Sequence, residues 1–189
     1  HKMGWNSQPT REIVFDNVRV PIGHRLGEEG DGFKIAMKGL DGGRINIGTC
    51  SVGTAPAALN RAKSYMSERQ QFGEPLSNFP ALQFKLADMA TELVAARQMI
   101  RMAASRVDAG HSEATVYAAM AKQFATDVGF KVCNEALQIH GGYGYMQEYP
   151  LERHIRDTRV HQILEGTNEI MRVITARRLL ALADIEAIQ

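Results

Sequence analysis

The sequence predicts a mainly helical protein, an up-and-down bundle of long helices preceded by a short strand-rich stub. Three observations predict it. Apolar residues recur at steps of three and four through most of the chain, the signature of one helix face turned inward. Period-two alternation is confined to residues 1–28. Gly- and Pro-containing breaks separate the helical runs at a few discrete places.

The stub comes first. Ile13 and Phe15 alternate with polar neighbours, Val18 and Val20 alternate again, and Asp16-Asn17 lies between them, with Pro21 and Gly23 after. This reads as two short strands, a turn and a closing loop. Two strands alone are marginal in water, so they are expected to belong to a larger sheet.

From Gly30 the pattern turns helical. Phe33, Ala36, Met37 and Leu40 fit one face; Asp41-Gly42-Gly43 interrupts it, and Asp41 can cap a second helix reaching about Gln71. That helix is rich in small residues (Gly48, Ser51, Gly53, Ala55, Ala57, Ala58), which permit close backbone approach, and Phe72-Gly73-Glu74-Pro75 stops it. The next helix runs from about Phe79 to Val107, with Leu82, Leu86, Met89, Leu93, Ala96 and Ile100 inward. Ser112 can cap a fourth, whose stripe is Tyr117, Met120, Phe124, Val128 and Val132. Gly141-Gly142-Tyr143-Gly144-Tyr145 breaks it. A short helix over Leu151 to Thr158 and a last one from near Thr167, with Ile170, Val173 and Ile174 on one face, complete the set.

The 189 residues allow one domain, or one and a fragment, with enough chain to bury a core. At 44% hydrophobic and 23% charged the composition excludes a disordered tail and a collagen-like repeat. No apolar run approaches the roughly 18 residues of a membrane helix. With 22 basic against 21 acidic residues, a broad electrostatic hold on nucleic acid is not expected. Cys50 and Cys133 have no CxxC spacing, which favours a reducing compartment over a disulfide scaffold. The start, HKMGW, is neither a signal nor a transit peptide and lacks an initiator Met, so the chain is expected to begin inside a longer protein.

Several chemistries lack their motifs: there is no GxxxxGK[ST], HExxH or GxSxG, no GxGxxG after a strand, and no two ExxH pairs for a di-iron centre. No metal set is assigned. Two segments stand out. In Gln138-Ile139-His140-Gly141-Gly142-Tyr143-Gly144, the glycines leave backbone that a flat group can approach, although a helix C-cap and turn account for them as well. In Ile163-Leu164-Glu165-Gly166-Thr167-Asn168-Glu169, Glu165 follows apolar neighbours, and Thr167 can cap the helix that follows. A carboxylate in an apolar wall can act as a base near neutral pH; an exposed pre-helix Glu is the plainer alternative. Arg69 beside Phe72 suits a pyrophosphate and a planar ring, or is a solvated Arg beside a core Phe. Arg153, Arg156 and Arg159 read as a solvated face with the i,i+4 pairs Glu152–Arg156 and Arg153–Asp157. His24, His111, His154 and His161 are isolated and receive no role.

The stretches GLDGGRINIG (39–48), ERQQFGEPL (68–76), LQFKLADMATELVAAR (82–97), ALQIHGGYGYM (136–146) and RDTRVHQILEGTNEIMR (156–172) resemble, in order and across nearly the whole chain, the C-terminal half of the acyl-CoA dehydrogenase family. WNSQPTR, GGRINI and VHQILEGTNEIMR are most similar to members acting on short branched acyl groups such as isobutyryl-CoA. The resemblance implies that residues 1–28 end a middle β domain and that 29–189 form the C-terminal four-helix bundle. It implies FAD as cofactor and α,β-dehydrogenation of an acyl-CoA, with Glu165 removing the α-proton while the β-hydride passes to flavin N5.

It further implies FAD contacts at Arg69, Phe72 and Gln138, Ile139, His140, Gly141 and Gly142, across a dimer interface, and at Thr167, Asn168 and Glu169 within the subunit. Asp41, Gly42, Gly43 and Arg44 match a substrate-side segment, and Arg177 a CoA-side contact. A branch of the family carries its base at the position of Gly43, which here has no side chain to act. Pro80 stands where many relatives have a flavin-contacting Gln. An electron-transfer flavoprotein as electron acceptor, a tetramer of paired dimers, and a bacterial cytoplasm or mitochondrial matrix follow from the same resemblance. The competing readings are a 2-methylbutyryl- or straight short-chain acyl-CoA dehydrogenase, and an inactive bundle serving oligomerisation.

Overall fold

The computed structural model describes residues 1–184 and 188; 185–187 and 189, within the expected helical domain, lie outside the described residues. Five α-helices follow one another: α1 (Gly32–Glu68), α2 (Pro80–Asp108), α3 (Ala114–His140), α4 (Leu151–Arg159) and α5 (Asn168–Ala181). Between α1 and α2 lies an antiparallel hairpin, β1 (Gln70–Gln71) with β2 (Glu74–Pro75).

Helix α3 is the axis of the bundle, packed against α1, α2, α4 and α5. Four consecutive residues, Val116 to Ala119, are all buried, and at about 100° per residue they reach around most of the helix circumference. A helix packed against four others needs neighbours that come close. Small side chains supply that approach: Ala55, Ala58 and Ala62 of α1 and Ala96 and Ala103 of α2 have no exposed surface. α1 and α3 meet closely at Gly129, where a methyl group would stand 2.8 Å from Ser51 Cβ and 3.2 Å from the Ser51 carbonyl oxygen.

Most expected helices form within a residue or two of their predicted ends. The stripe of α2 is as predicted, with Met89, Leu93, Ala96 and Ile100 buried. Pro80 occupies the first turn of α2, where its missing N–H matters least. Thr167 caps α5, its Oγ1 accepting from the Ile170 N–H at 3.4 Å.

Five expectations are corrected. Asp41-Gly42-Gly43 does not interrupt α1, which runs through it. Two glycines in a helix cost about 1 kcal/mol each, which packing against α3 outweighs; Asp41 spends its carboxylate on Arg44 (2.8 Å) and Thr115 (2.6 Å) rather than on a cap. The face Phe33, Ala36, Met37 is exposed, because the first turns of α1 extend past the described bundle. The helix ends at Glu68, and Phe72 (φ 55°) with Gly73 (φ 84°) makes the tight turn of a hairpin that periodicity did not indicate. On α5 the buried apolar residue is Met171, whereas Ile170 and Val173 stay largely exposed. Ser112 does not cap α3; Glu113 does the joining, its carboxylate held by Arg178 of α5 (2.6 Å).

The strand stub also departs from expectation. Residues 9–15 and 18–20 form neither strand nor helix, and Ile13, Phe15, Val18 and Val20 are 59–78% exposed. A strand with no partner edge and no covered face has no net reason to form a ladder. Only the first residues dock: the Trp5 ring meets His161 edge-on at 5.3 Å, and Arg156 reaches the Met3 carbonyl.

Gly129→Ala is expected to lower stability by about 1–3 kcal/mol, the usual penalty of overpacking. Urea unfolding would show a lower midpoint with an unchanged slope.

Candidate active site

The site is built where α1 and the start of α5 converge on the middle of α3. Its entry is the segment 163–167. Val160–Gln162 forms a 3-10 turn, and the chain then takes two consecutive left-handed residues, Glu165 (φ 57°) and Gly166 (φ 91°). A non-glycine residue in that region is strained and persists only where surrounding contacts over-determine it. At Gly166 a side chain would in addition meet Met171 Cε at 2.7 Å.

The turn throws the Glu165 side chain onto α1. A methyl group at Gly43 would lie 2.7 Å from Cδ of Glu165 and closer still to its Oε2. The bare backbone of Gly43 is therefore the floor on which this half-buried carboxylate rests. Next to Gly43 on α1, Arg44 is 6% exposed and pairs with Asp41 at 2.8 Å. Its Nε is buried and meets no acceptor among the described residues.

Below this, α3 contributes a polar row. Lys122, with no exposed surface, donates from Nζ to the Gly166 carbonyl and to Asn168 Oδ1, both at 2.8 Å. Asn168 Nδ2 donates to Thr126 Oγ1 (2.9 Å) and Asp127 Oδ1 (2.7 Å). Asp127 also accepts from Gln162 (2.7 Å) and Arg172 (3.1 Å). Burial pulls the Lys122 ammonium down to about 8 against the opposing pull of Asp127, Glu169 and Glu165. Glu169, exposed in the first turn of α5, is held below the usual carboxylate range by its own backbone N–H and the Thr167 hydroxyl. Thr167, Asn168 and Glu169 line a cleft of about 210 Å³ with Asp127 and Arg172.

A second constellation stands at the far end of α3. At about 1.5 Å per residue, Lys122 and His140 are about 27 Å apart along the helix. There Tyr65, Arg69, Ile139, Gly141, Gly142 and Tyr143 line an open groove of about 600 Å³. The Arg69 guanidinium lies over the Tyr143 ring, 5.8 Å from its centroid. Gly141 (φ 58°) ends the helix and leaves exposed backbone. The Phe72 ring is 94% exposed at the hairpin tip. A cation over a ring beside open peptide groups suits a flat, anionic ligand such as a dinucleotide.

The structure thus brings Gly43, Arg44 and Glu165 together, and Arg69 with residues 139–142, while holding the two sets apart. Gln138 is exposed beside the groove and Arg177 exposed on α5. Two predicted residues turn inward. Asn168 is 3% exposed with its amide engaged by protein, so it offers a ligand no free amide. His140 is 5% exposed, donates from Nδ1 to the Ala136 carbonyl (2.8 Å) and stacks on Tyr65 at 4.2 Å; burial depresses its pKa. Lys122 and Asp127 went unread in the sequence. Their signal was a row of small or polar residues, Ala118, Lys122 and Thr126, recurring at four-residue steps in α3.

His161 lies beneath the same segment, 2% exposed and sharing a 2.8 Å hydrogen bond with Ser51 Oγ. Burial, aided by Lys122, pushes its pKa from 6.5 to about 4. Between those values the unfolded chain takes up a proton that the folded one refuses. Stability is therefore expected to fall as pH drops from 6.5 toward 4. Denaturant titrations across that window should show the slope flattened in His161→Gln.

The family model for the acyl-CoA dehydrogenase C-terminal domain matches residues 30–180. The chain is 55% identical to the mitochondrial isobutyryl-CoA dehydrogenase of Bos taurus over 95% of its own length and 43% of that protein. It is 50% identical to the short-chain-specific acyl-CoA dehydrogenase of Megasphaera elsdenii over 95% of this chain and 46% of that protein. Among solved structures, butyryl-CoA dehydrogenase from Megasphaera elsdenii superposes with a TM-score of 0.92 at 49% identity, covering 95% of this chain and 47% of that one. The chain spans somewhat less than half the length of these relatives.

Proposed function

The chain belongs to the acyl-CoA dehydrogenase family, and from that premise we propose that it forms the catalytic helical half of a FAD-dependent enzyme that desaturates short branched acyl-CoA thioesters of the isobutyryl-CoA type, with Glu165 as the base. The observation that carries this reading is the Glu165 carboxylate laid on Gly43 by a left-handed backbone. A strained conformation supported from three elements marks a side chain whose direction matters.

Glu165 accepts the α-proton of the thioester. Its own backbone N–H, set by the left-handed turn, is the donor available to the thioester carbonyl as enolate character develops. The orphaned Nε of Arg44 is a second donor that a substrate oxygen on the α1 side would satisfy. FAD, when bound, supplies the acceptor for the β-hydride. The residues present fit that group at two places: Arg69 over Tyr143 and the open backbone at Gly141-Gly142 would hold the phosphates and flat rings of one FAD, and Thr167 and Glu169 would contact another.

The distance of about 27 Å along α3 between the two sets supports their serving different cofactors, the groove belonging to the FAD of a second subunit. Phe72, Tyr145 and Met146, exposed at that end, support a paired-dimer assembly. Residues 1–28 then close a β domain, 29–189 form the bundle, and an electron-transfer flavoprotein takes the electrons.

In the full-length protein, Glu165→Gln is expected to abolish isobutyryl-CoA oxidation by an artificial acceptor while retaining bound flavin; undiminished turnover would remove the assignment. Gly43→Ala should lower kcat about 10²-fold by displacing the carboxylate. Its melting temperature should change little, because the group displaced is the end of a flexible side chain.

A further inference from the structure

We propose that Lys122 is the positioning residue of the site: its ammonium, fixed on α3, ties down the Gly166 carbonyl and thereby holds Glu165 in the left-handed conformation that lays its carboxylate on Gly43. The inference deepens the reading of Glu165 as the base and rests on it.

The geometry is specific. Among the largest side chains with essentially no exposed surface, Lys122 is the one that carries an ammonium. Burying such a group is costly unless its N–H bonds are used. Both acceptors of its hydrogen bonds lie on the segment that carries the base: the carbonyl of Gly166, next in sequence to Glu165, and Oδ1 of Asn168, the first residue of α5. Asn168 is itself locked to Thr126 and Asp127, so the ammonium bridges two points of one loop to a rigid helix.

A methionine in its place would fill the volume without donating. The Gly166 carbonyl would then lose its donor, and the strain of two successive left-handed residues would relax by moving Glu165. Nothing in packing alone asks for a cation here. The strained turn does, because it needs a donor at a fixed point.

Charged groups approach Lys122 from every side: Asp127 on its own helix, Glu169 of α5, Arg44 of α1, Glu165 of the loop, and His161 of the preceding turn, whose proton affinity Lys122 lowers. Burial leaves its pKa at about 8 despite the three carboxylates. The clamp therefore loses its charge, and one of three N–H bonds, within an accessible pH range.

The test uses the full-length, FAD-loaded enzyme, isobutyryl-CoA protiated or deuterated at C2, and an artificial electron acceptor. Lys122→Met is expected to lower kcat per bound flavin about 10- to 100-fold. The deuterium isotope effect on kcat should rise, with little change in KM. Lys122→Arg should recover part of the rate. The wild-type kcat should fall with an alkaline limb near pH 8 that moves upward in Lys122→Arg. If Lys122→Met does not fold, Lys122→Arg and the wild-type pH profile decide the matter. Wild-type kcat and isotope effect in a folded Lys122→Met, or an alkaline limb that Lys122→Arg leaves in place, would overturn the proposal. Either result alongside an inactive Glu165→Gln would sink the clamp and leave the base standing; activity retained in Glu165→Gln would sink the base itself.

Discussion

Because α3 is packed against α1, α2, α4 and α5, most of the residues it carries must either pack against a neighbour or find a partner there. The apolar positions meet the demand with alanines and with the close approach of Gly129 to Ser51. The polar positions that face those neighbours, Lys122, Thr126 and the partly exposed Asp127, reach out to the segment that crosses them. The same enclosure that makes the helix a core element makes it an anchor for a loop. The buried polar row is what specifies where the chain between α4 and α5 passes.

Glu165 and Gly43 illustrate a competition for one volume. The carboxylate from the loop occupies the space that a side chain on α1 would take. Only one of the two positions can carry the group, so the glycine is as much a part of the site as the acid. The backbone strain at Glu165 has the same origin: reaching α1 from the loop requires a turn that an extended or helical residue would not make. The Lys122 contact from α3 and the Thr167 cap of α5 hold that turn from its C-terminal side.

Much of this was legible in the residues. The stripe Met89, Leu93, Ala96, Ile100 defined α2, and Thr167 announced the start of α5, because caps and amphipathic faces are local properties. Glu165 and the glycines of 141–144 were visible as departures from periodicity. Lys122 was not, since a lysine inside a helix reads as solvated until its neighbours are known. His140 and Asn168 were read as facing a ligand, yet both turn inward, to Tyr65 and to Asp127, residues distant in sequence.

The sequence by itself determined where most of the helices begin and end, that Thr167 caps the last of them, and which carboxylate stood in unusual company. These depend on interactions within a few residues of backbone. Tertiary structure alone decided that Asp41-Gly42-Gly43 stays helical and that Glu165 lands on Gly43 with Lys122 beneath it. In each case the deciding energy comes from a group far along the chain: a covering helix, or a buried charge that must spend its hydrogen bonds where the fold puts it.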